Sequence, residues 1–372
     1  MRPSWIEVDL AAIEHNVGEI ADRIAPAEFC AVVKADAYGH GDVPVAEAAI
    51  AGGASWLAVA LIEEGVRLRE AAIDVPILVL SEPTIDDVHL VVEHGLIPTA
   101  YRIEFVDQLA AVAERAGAPT YPVHLKLDTG MHRVGAAPVD AFTVARRIHG
   151  DDRLALQGVF THFSVADDDP DYTRRQNTAL VRFIDALRSE GIEPKMVHAA
   201  NTAAALELPE SRHDMCRIGL GMYGLRPTPN CGQNMDLRPA MRVLSHVGYV
   251  RRVPAQARPS YGRIREIESS GAVATIPIGY ADGVARSLSG AGTVLINAER
   301  YRFAGQITMD MVIVDVGQDD VSVGDEVVFI GRQGDDEIAV EEWADLLGTV
   351  NYEVVCDFAS RLPRRYTRGE AE

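Results

Sequence analysis

Residues 29–34 read Phe29-Cys30-Ala31-Val32-Val33-Lys34, an apolar run without polar alternation that ends on an ammonium. Such a run suits a strand of a parallel sheet buried on both faces. Seven more follow: Trp56–Leu61, Val75–Leu80, Leu96–Ala100, Tyr121–Asp128, Leu156–Phe163, Met196–Asn201 and Met215–Gly221. Between them lie stretches with apolar residues at i, i+3 and i+4, as in Val43–Ile50, Glu63–Ala72, Phe105–Gly117 and Asp171–Gly191. Gly95, Gly117 and Gly191 end such stretches, where a left-handed cap costs least. Eight strand–helix repeats in about 200 residues predict a (β/α)8 TIM barrel. The alternative, a doubly wound sheet, lacks its Gly-rich dinucleotide turn after the first strand.

Past residue 226 the texture changes. Met241–Val250, Ala272–Ile278, Thr293–Ile296, Met311–Val316 and Glu326–Ile330 read as short strands split by turns such as Val323-Gly324-Asp325. The expectation is a barrel over residues 10–225. A β-rich domain over 226–372, together with residues 1–9, joins it through the linker Arg226–Asp236.

The 372 residues carry Lys+Arg 35 against Asp+Glu 55, a formal charge of −20. A surface so acidic repels phosphate backbones and anionic lipid, which argues against nucleic acid and membrane as partners. The longest apolar runs are strand-sized, and the first residues lack the apolar core of a secretory signal, so the reading is cytoplasmic. Cys30, Cys216, Cys231 and Cys356 lie far apart with no C-x-x-C spacing, which disfavours a zinc ribbon or a disulfide framework. Cys30 and Cys216, in apolar runs, read as buried small hydrophobes.

Barrel chemistry sits at the C-terminal ends of the strands. Those ends supply Lys34, Lys126 with Asp128, His162, Asn201-Thr202, and Arg217 with Gly219. A lysine at the end of a buried run has its pKa lowered, which suits a Schiff-base former or a general base; snorkelling to a surface rim is the plainer alternative. After the seventh and eighth strands come His198-Ala199-Ala200-Asn201-Thr202 and Arg217-Ile218-Gly219-Leu220-Gly221-Met222-Tyr223-Gly224. A Thr202 hydroxyl at a helix N-cap and N–H groups beside glycines would make an anion cradle. Lysine plus phosphate cup suggests pyridoxal phosphate, an aldehyde that needs both. The competing chemistry is a metal held by His124, His162 and His198. No H-x-H ends the first strand and no carboxylate follows in a ligand spacing, so no metal is expected.

Taken together, these residues resemble a known family. Val32-Val33-Lys34-Ala35-Asp36-Ala37-Tyr38-Gly39-His40-Gly41 is similar to the pyridoxal-phosphate signature of alanine racemases. The likeness continues through Lys126–Gly135, Thr161-His162-Phe163, His198–Thr202 and Arg217–Gly224. It then runs through Ser260-Tyr261-Gly262, Ile276–Gly283, Met309-Asp310 and Asn351-Tyr352-Glu353. The order and span of these blocks exclude coincidence.

The resemblance implies a pyridoxal 5'-phosphate enzyme, an isomerase that interconverts L- and D-alanine by a two-base mechanism on the cofactor aldimine and supplies D-alanine for peptidoglycan. It implies that Lys34 carries the cofactor and is one catalytic base, and that Tyr261 is the other, on the opposite face of the substrate. Tyr38, Thr202, Gly219, Leu220 and Tyr352 would hold the phosphate, with Asn201 nearby. Arg217 would face the pyridine nitrogen with His162 behind it. Arg133 would orient the phenolic oxygen and the substrate carboxylate, and Tyr280 and Met309 would lie near the substrate. Lys126 is often carbamylated in the family. A homodimer with shared active sites, each taking Tyr261 from the other chain, is implied as well. His40 and Asp36 are read as shaping the turn. Three positions depart from the commoner pattern: Thr202 for serine, Gln306 for an arginine before the Met-Asp pair, and His132 for a small residue. Other readings are a racemase for serine or a larger amino acid, a non-catalytic pyridoxal-phosphate carrier and a decarboxylase. The related decarboxylases place an acid opposite the ring nitrogen, where this chain has Arg217.

Overall fold

Eight parallel strands close on themselves in the computed structural model, which describes residues 3–118 and 120–369. In chain order the first nine strands are β1 (Trp5–Asp9), β2 (Glu28–Val32), β3 (Trp56–Val59), β4 (Ile77–Val79), β5 (Ile97–Ala100), β6 (Tyr121–Lys126), β7 (Leu154–Phe160), β8 (Met196–His198) and β9 (Met215–Ile218). Strands β2 to β9 pair in sequence order, and β9 returns to β2 through registers such as Cys30↔Arg217. The (β/α)8 barrel expected from the apolar runs is the fold.

The helices form for the anticipated reason. Helix Pro170–Ser189 buries Thr173, Gln176, Leu180, Ile184 and Leu187, one face at a spacing of three to four. Gly95, Gly117 and Gly191 take φ of +59°, +62° and +79° where the helices stop. Helices Leu10–Ile24, Val88–Glu93 and Pro138–His149 add to those named from the sequence. The first of these buries Ile13, Val17, Ile20 and Ile24 completely.

By packing, the chain separates into two units. One comprises Ala12–Ala37 and Asp42–Arg238; the other comprises the chain up to Ala11, Tyr38–Gly41, and the chain from Pro239 onward. The second unit adds β10 (Met241–His246), β11 (Tyr249–Val253), β12 (Gly271–Ile276), β13 (Thr293–Ile296), β14 (Glu299–Arg302), β15 (Val312–Gly317), β16 (Glu326–Gln333), β17 (Asp336–Ile338) and β18 (Arg364–Thr367). Its larger sheet runs β14-β13-β16-β10-β1-β18, with β17 on β16, so β1 is an inner strand. A smaller sheet runs β11-β12-β15. Met241–Val250, read from the sequence as one strand, is therefore two. β10 pairs with β1 and β16, and after the Val247–Gly248 break β11 pairs with β12. Among the described residues, no helix is long and apolar enough to cross a membrane.

Candidate active site

The C-terminal ends of the barrel strands gather cations around one aromatic ring. Arg217, in β9, is 4% exposed. Its guanidinium donates to the carbonyls of Thr161 (2.9 Å) and Ala199 (3.0 Å) and bonds His198 Nδ1 (2.8 Å) and His162 Nδ1 (3.2 Å). Among the described residues, none of these partners is a carboxylate. Burial brings the Arg217 pKa down to about 10. Lys126, at the end of β6, lies 5.2 Å from the centre of the Phe160 ring, and Arg217 lies 5.1 Å from it. Its ammonium donates to the Leu80 carbonyl at 3.1 Å.

Burial, followed by the charges of Arg217, Arg133 and Lys34, lowers the Lys126 pKa to about 7 against the opposing pull of Asp128. Burial and the same group of cations (Arg217, Lys126, Arg133, Lys34) hold His162 well below the usual imidazole range. The structure thus brings Lys34, Lys126, Arg133, His162 and Arg217 into one electrostatic neighbourhood. Lys34, expected to be buried, is only half-buried; Lys126 is the buried lysine and takes the larger burial penalty.

The three histidines weighed as metal ligands lead to Arg217 instead. His198 stacks on Phe160 (4.6 Å, 7°) and meets His124 at 2.9 Å between Nε2 and Nδ1. An arginine only donates, so His198 Nδ1 accepts, its Nε2 carries the proton, and that proton is offered to His124 Nδ1. Burial keeps both rings neutral at physiological pH, with His124 lowered to about 4 and His198 also well below its ordinary value. Room for His124 comes from Gly158, its register partner on β7, where a Cβ would lie 2.5 Å from the ring.

Asn201, not Thr202, is the N-cap of helix Thr202–Glu207: its Oδ1 accepts from Ala204 N at 3.0 Å. The Thr202 hydroxyl instead accepts from Gly221 N at 3.4 Å, joining this helix to the Leu220–Tyr223 turn after β9. A cap sits one residue outside the helix, and Thr202 is already its first residue. Thr202 and Leu220 are buried.

Lys34 lies beyond β2 and opens a turn that L-residues avoid. Ala35, Asp36, Ala37 and Tyr38 have φ of +54°, +53°, +51° and +54°, at a cost of roughly 1–2 kcal/mol each. Asp36 Oδ1 accepts from Asp42 N at 3.0 Å, and His40 Nδ1 meets Tyr38 O at 2.9 Å, so both shape the turn as expected. Two further buried side chains bond residues beside the candidates. Glu64, 7% exposed, accepts from Ala35 N next to Lys34. Gln176, 1% exposed, bonds the His162 carbonyl, Thr129 and Ser164. Glu64's only signal was a glutamate in the first turn of its helix, and Gln176 had only its place on the buried face of its own.

The second unit holds the remaining candidates. Tyr261 is 73% exposed, between Ser260 (φ +66°) and Gly262 (φ +69°). Gln306 meets this segment, since its carbonyl accepts from Ser260 Oγ at 2.5 Å, and its Oε1 accepts from Arg286. Tyr280 and Met309 are also exposed, on paired backbone where Tyr280 N donates to Thr308 O and Ala281 N to Met309 O. The rings of Tyr38 and Tyr352 stand 6.1 Å apart, and burial pushes the Tyr38 phenol above its ordinary value. His132, in the barrel unit, adopts φ +57° and bonds Asp128 at 3.0 Å beside Arg133.

Residues 8–227 match the family model of the alanine racemase N-terminal domain, and residues 240–366 match that of the C-terminal domain. The chain belongs to the alanine racemase family. An alanine racemase of Desulfovibrio desulfuricans is 41% identical over 98% of each chain. The crystal structure of alanine racemase from D-cycloserine-producing Streptomyces lavendulae superposes with a TM-score of 0.93 at 36% identity, covering 100% of this chain and 98% of that one. The alanine racemase of Bacillus anthracis with bound L-Ala-P gives 0.92 at 36% identity, covering 99% and 96%.

Proposed function

We propose that the chain is a pyridoxal-phosphate racemase that interconverts L- and D-alanine and supplies D-alanine for peptidoglycan. The observation that carries this reading is Arg217, a buried guanidinium without a carboxylate partner among the described residues, inside a group of cations. Such a cluster in a chain of charge −20 calls for an anion. Pyridoxal phosphate brings a phosphate, a phenolic oxygen, a ring nitrogen and an aldehyde, and Arg133 is assigned to the phenolic oxygen. Lys34 supplies the amine for the aldehyde and Arg217, backed by His162, the hydrogen bond to the nitrogen. Asn201, Thr202, Gly219 and Leu220, with Tyr38 and Tyr352, are assigned to the phosphate.

When bound to an amino acid, the cofactor makes the Cα proton acidic. Lys34 holds or releases a proton at one face of Cα, and Tyr261 does so at the other, so inversion needs no turning of the substrate. Arg133 orients the substrate carboxylate, with Tyr280 and Met309 beside it. Arg217 donates a hydrogen bond yet keeps its proton at neutral pH, because even its lowered pKa is about 10. Held there, Arg217 would give the ring nitrogen a hydrogen bond and not a full proton, which would favour racemisation over transamination. Lys126, with a pKa of about 7, has a neutral amine available for carbon dioxide, which supports a carbamate facing Arg133.

We place the enzyme in the cytoplasm, where its four free cysteines suit a reducing compartment. The test is incubation of purified protein with single amino acids in deuterated water, following chirality and Cα exchange. L- and D-alanine should each racemise with deuterium uptake at Cα. Faster exchange with serine or a larger amino acid, or no exchange at all, would overturn the assignment.

A further inference from the structure

The turn that follows Lys34 is held at its start by one buried side chain. Glu64 Oε1 accepts from Ala35 N at 2.6 Å, while Oε2 accepts from Ala60 N at 2.8 Å and Leu61 N at 3.0 Å. Capping helix Ile62–Glu70 needs only Oε2, which serves the residues just ahead of it. Oε1 crosses to the neighbouring strand and satisfies the first N–H of the left-handed turn Ala35–Tyr38. The next residue of that turn has its own tie, Asp36 Oδ1 to Asp42 N. One carboxylate therefore joins the end of β2 to the end of β3 at the residue after Lys34.

We propose that Glu64 is a positioning residue for Lys34: its carboxylate locks the left-handed turn and so fixes where the ε-amino group emerges at the barrel mouth. The inference rests on the reading of Lys34 as the cofactor-bearing lysine. An acceptor oxygen is required on both sides, because all three donors are backbone N–H groups. A glutamine has one acceptor oxygen, and its amide N–H2 sets a donor against a donor on the other side. An internal comparison exists in Glu82, 9% exposed, which accepts from Tyr101 N (2.6 Å) and Arg102 N (2.8 Å) and pairs with the Arg102 guanidinium, none of these partners belonging to the Lys34 turn.

The experiment loads wild type, Glu64→Gln, Glu64→Asp and Glu82→Gln with pyridoxal phosphate. It measures the pH midpoint of the visible absorption and the rate at which hydroxylamine strips the cofactor. Borohydride reduction and peptide mapping then locate the label. Glu64→Gln should lose cofactor at least about tenfold faster with a shifted midpoint, in keeping with loss of a charged hydrogen bond. Glu64→Asp should be affected in the same direction, since its shorter reach cannot serve both sides, and it stands in if the glutamine variant does not fold. Glu82→Gln should match wild type in both readings even where its thermal midpoint falls. Wild-type behaviour in the Glu64 variants, or an equal effect in Glu82→Gln, overturns the clamp. A wild-type label on a lysine other than Lys34 overturns the functional reading itself.

Discussion

The barrel mouth and the Tyr261 segment differ most in how far their side chains are withdrawn from water. At the mouth, Arg217, His198 and His124 are nearly or fully buried and hydrogen-bonded to one another, and Lys126 is pulled to a pKa of about 7. Tyr261, Tyr280 and Met309 instead stand 73%, 42% and 52% exposed. A base open to water is not desolvated or screened from solvent protons. If Tyr261 is the second base, as proposed, it needs a cover, and the proposed homodimer would supply one by setting each Tyr261 over its partner's barrel.

That contrast can be broken most severely by removing the two proposed bases. Lys34→Ala and Tyr261→Phe should each lose about 10²–10⁴-fold or more in activity. Mixed under conditions of subunit exchange, they should recover about a quarter of wild-type activity. Half the dimers are then mixed, and each has one site without a lesion. Exchange without recovery would refute the shared site.

Arg217→Glu should slow racemisation by roughly 10²-fold and raise the keto acid formed per turnover, measured as pyruvate from alanine. An unchanged partition would show that Arg217 does not set the ring's electronics.

Lys126 sharpens the comparison on stability. Its pKa falls from 10.5 to about 7 on folding, so between these values the unfolded chain binds more protons and stability rises with pH. The burial penalty is complete below pH 7 and vanishes above 10.5. In buffer free of carbon dioxide, Lys126→Met should therefore be more stable than wild type by about 3–5 kcal/mol at pH 6–7, converging as pH approaches 10.5. Bicarbonate should stabilise wild type alone and give a ¹³C carbamate signal that Lys126→Met lacks.

Smaller effects separate packing from exposure. Gly158→Ala places a methyl 2.5 Å from His124 and should cost about 1–3 kcal/mol in chemical denaturation. Tyr261→Phe, at an exposed position, should change stability by less than about 0.5 kcal/mol despite its loss of activity.

Much of this was legible in advance, for local reasons. The apolar runs marked all eight barrel strands because a strand buried on both faces tolerates no polar alternation. Lys34, Lys126, His162, Asn201 and Arg217 were legible because strand ends follow directly from strand runs. The Met241–Val250 run was misread because a continuous apolar segment does not record that its halves pair with different strands. Glu64 and Gln176 were missed because their partners, Ala35 and His162, lie 29 and 14 residues away in sequence.

The sequence alone determined the barrel, the order of its strands and the residue types at its mouth, since burial pattern and chain order are local and one-dimensional. Only the tertiary structure decided the state of those residues. Burial and neighbouring charge, which act through space, made Lys126 the perturbed lysine and turned three candidate metal ligands into supports for an arginine. They also set one carboxylate between two strands to hold the turn that carries Lys34.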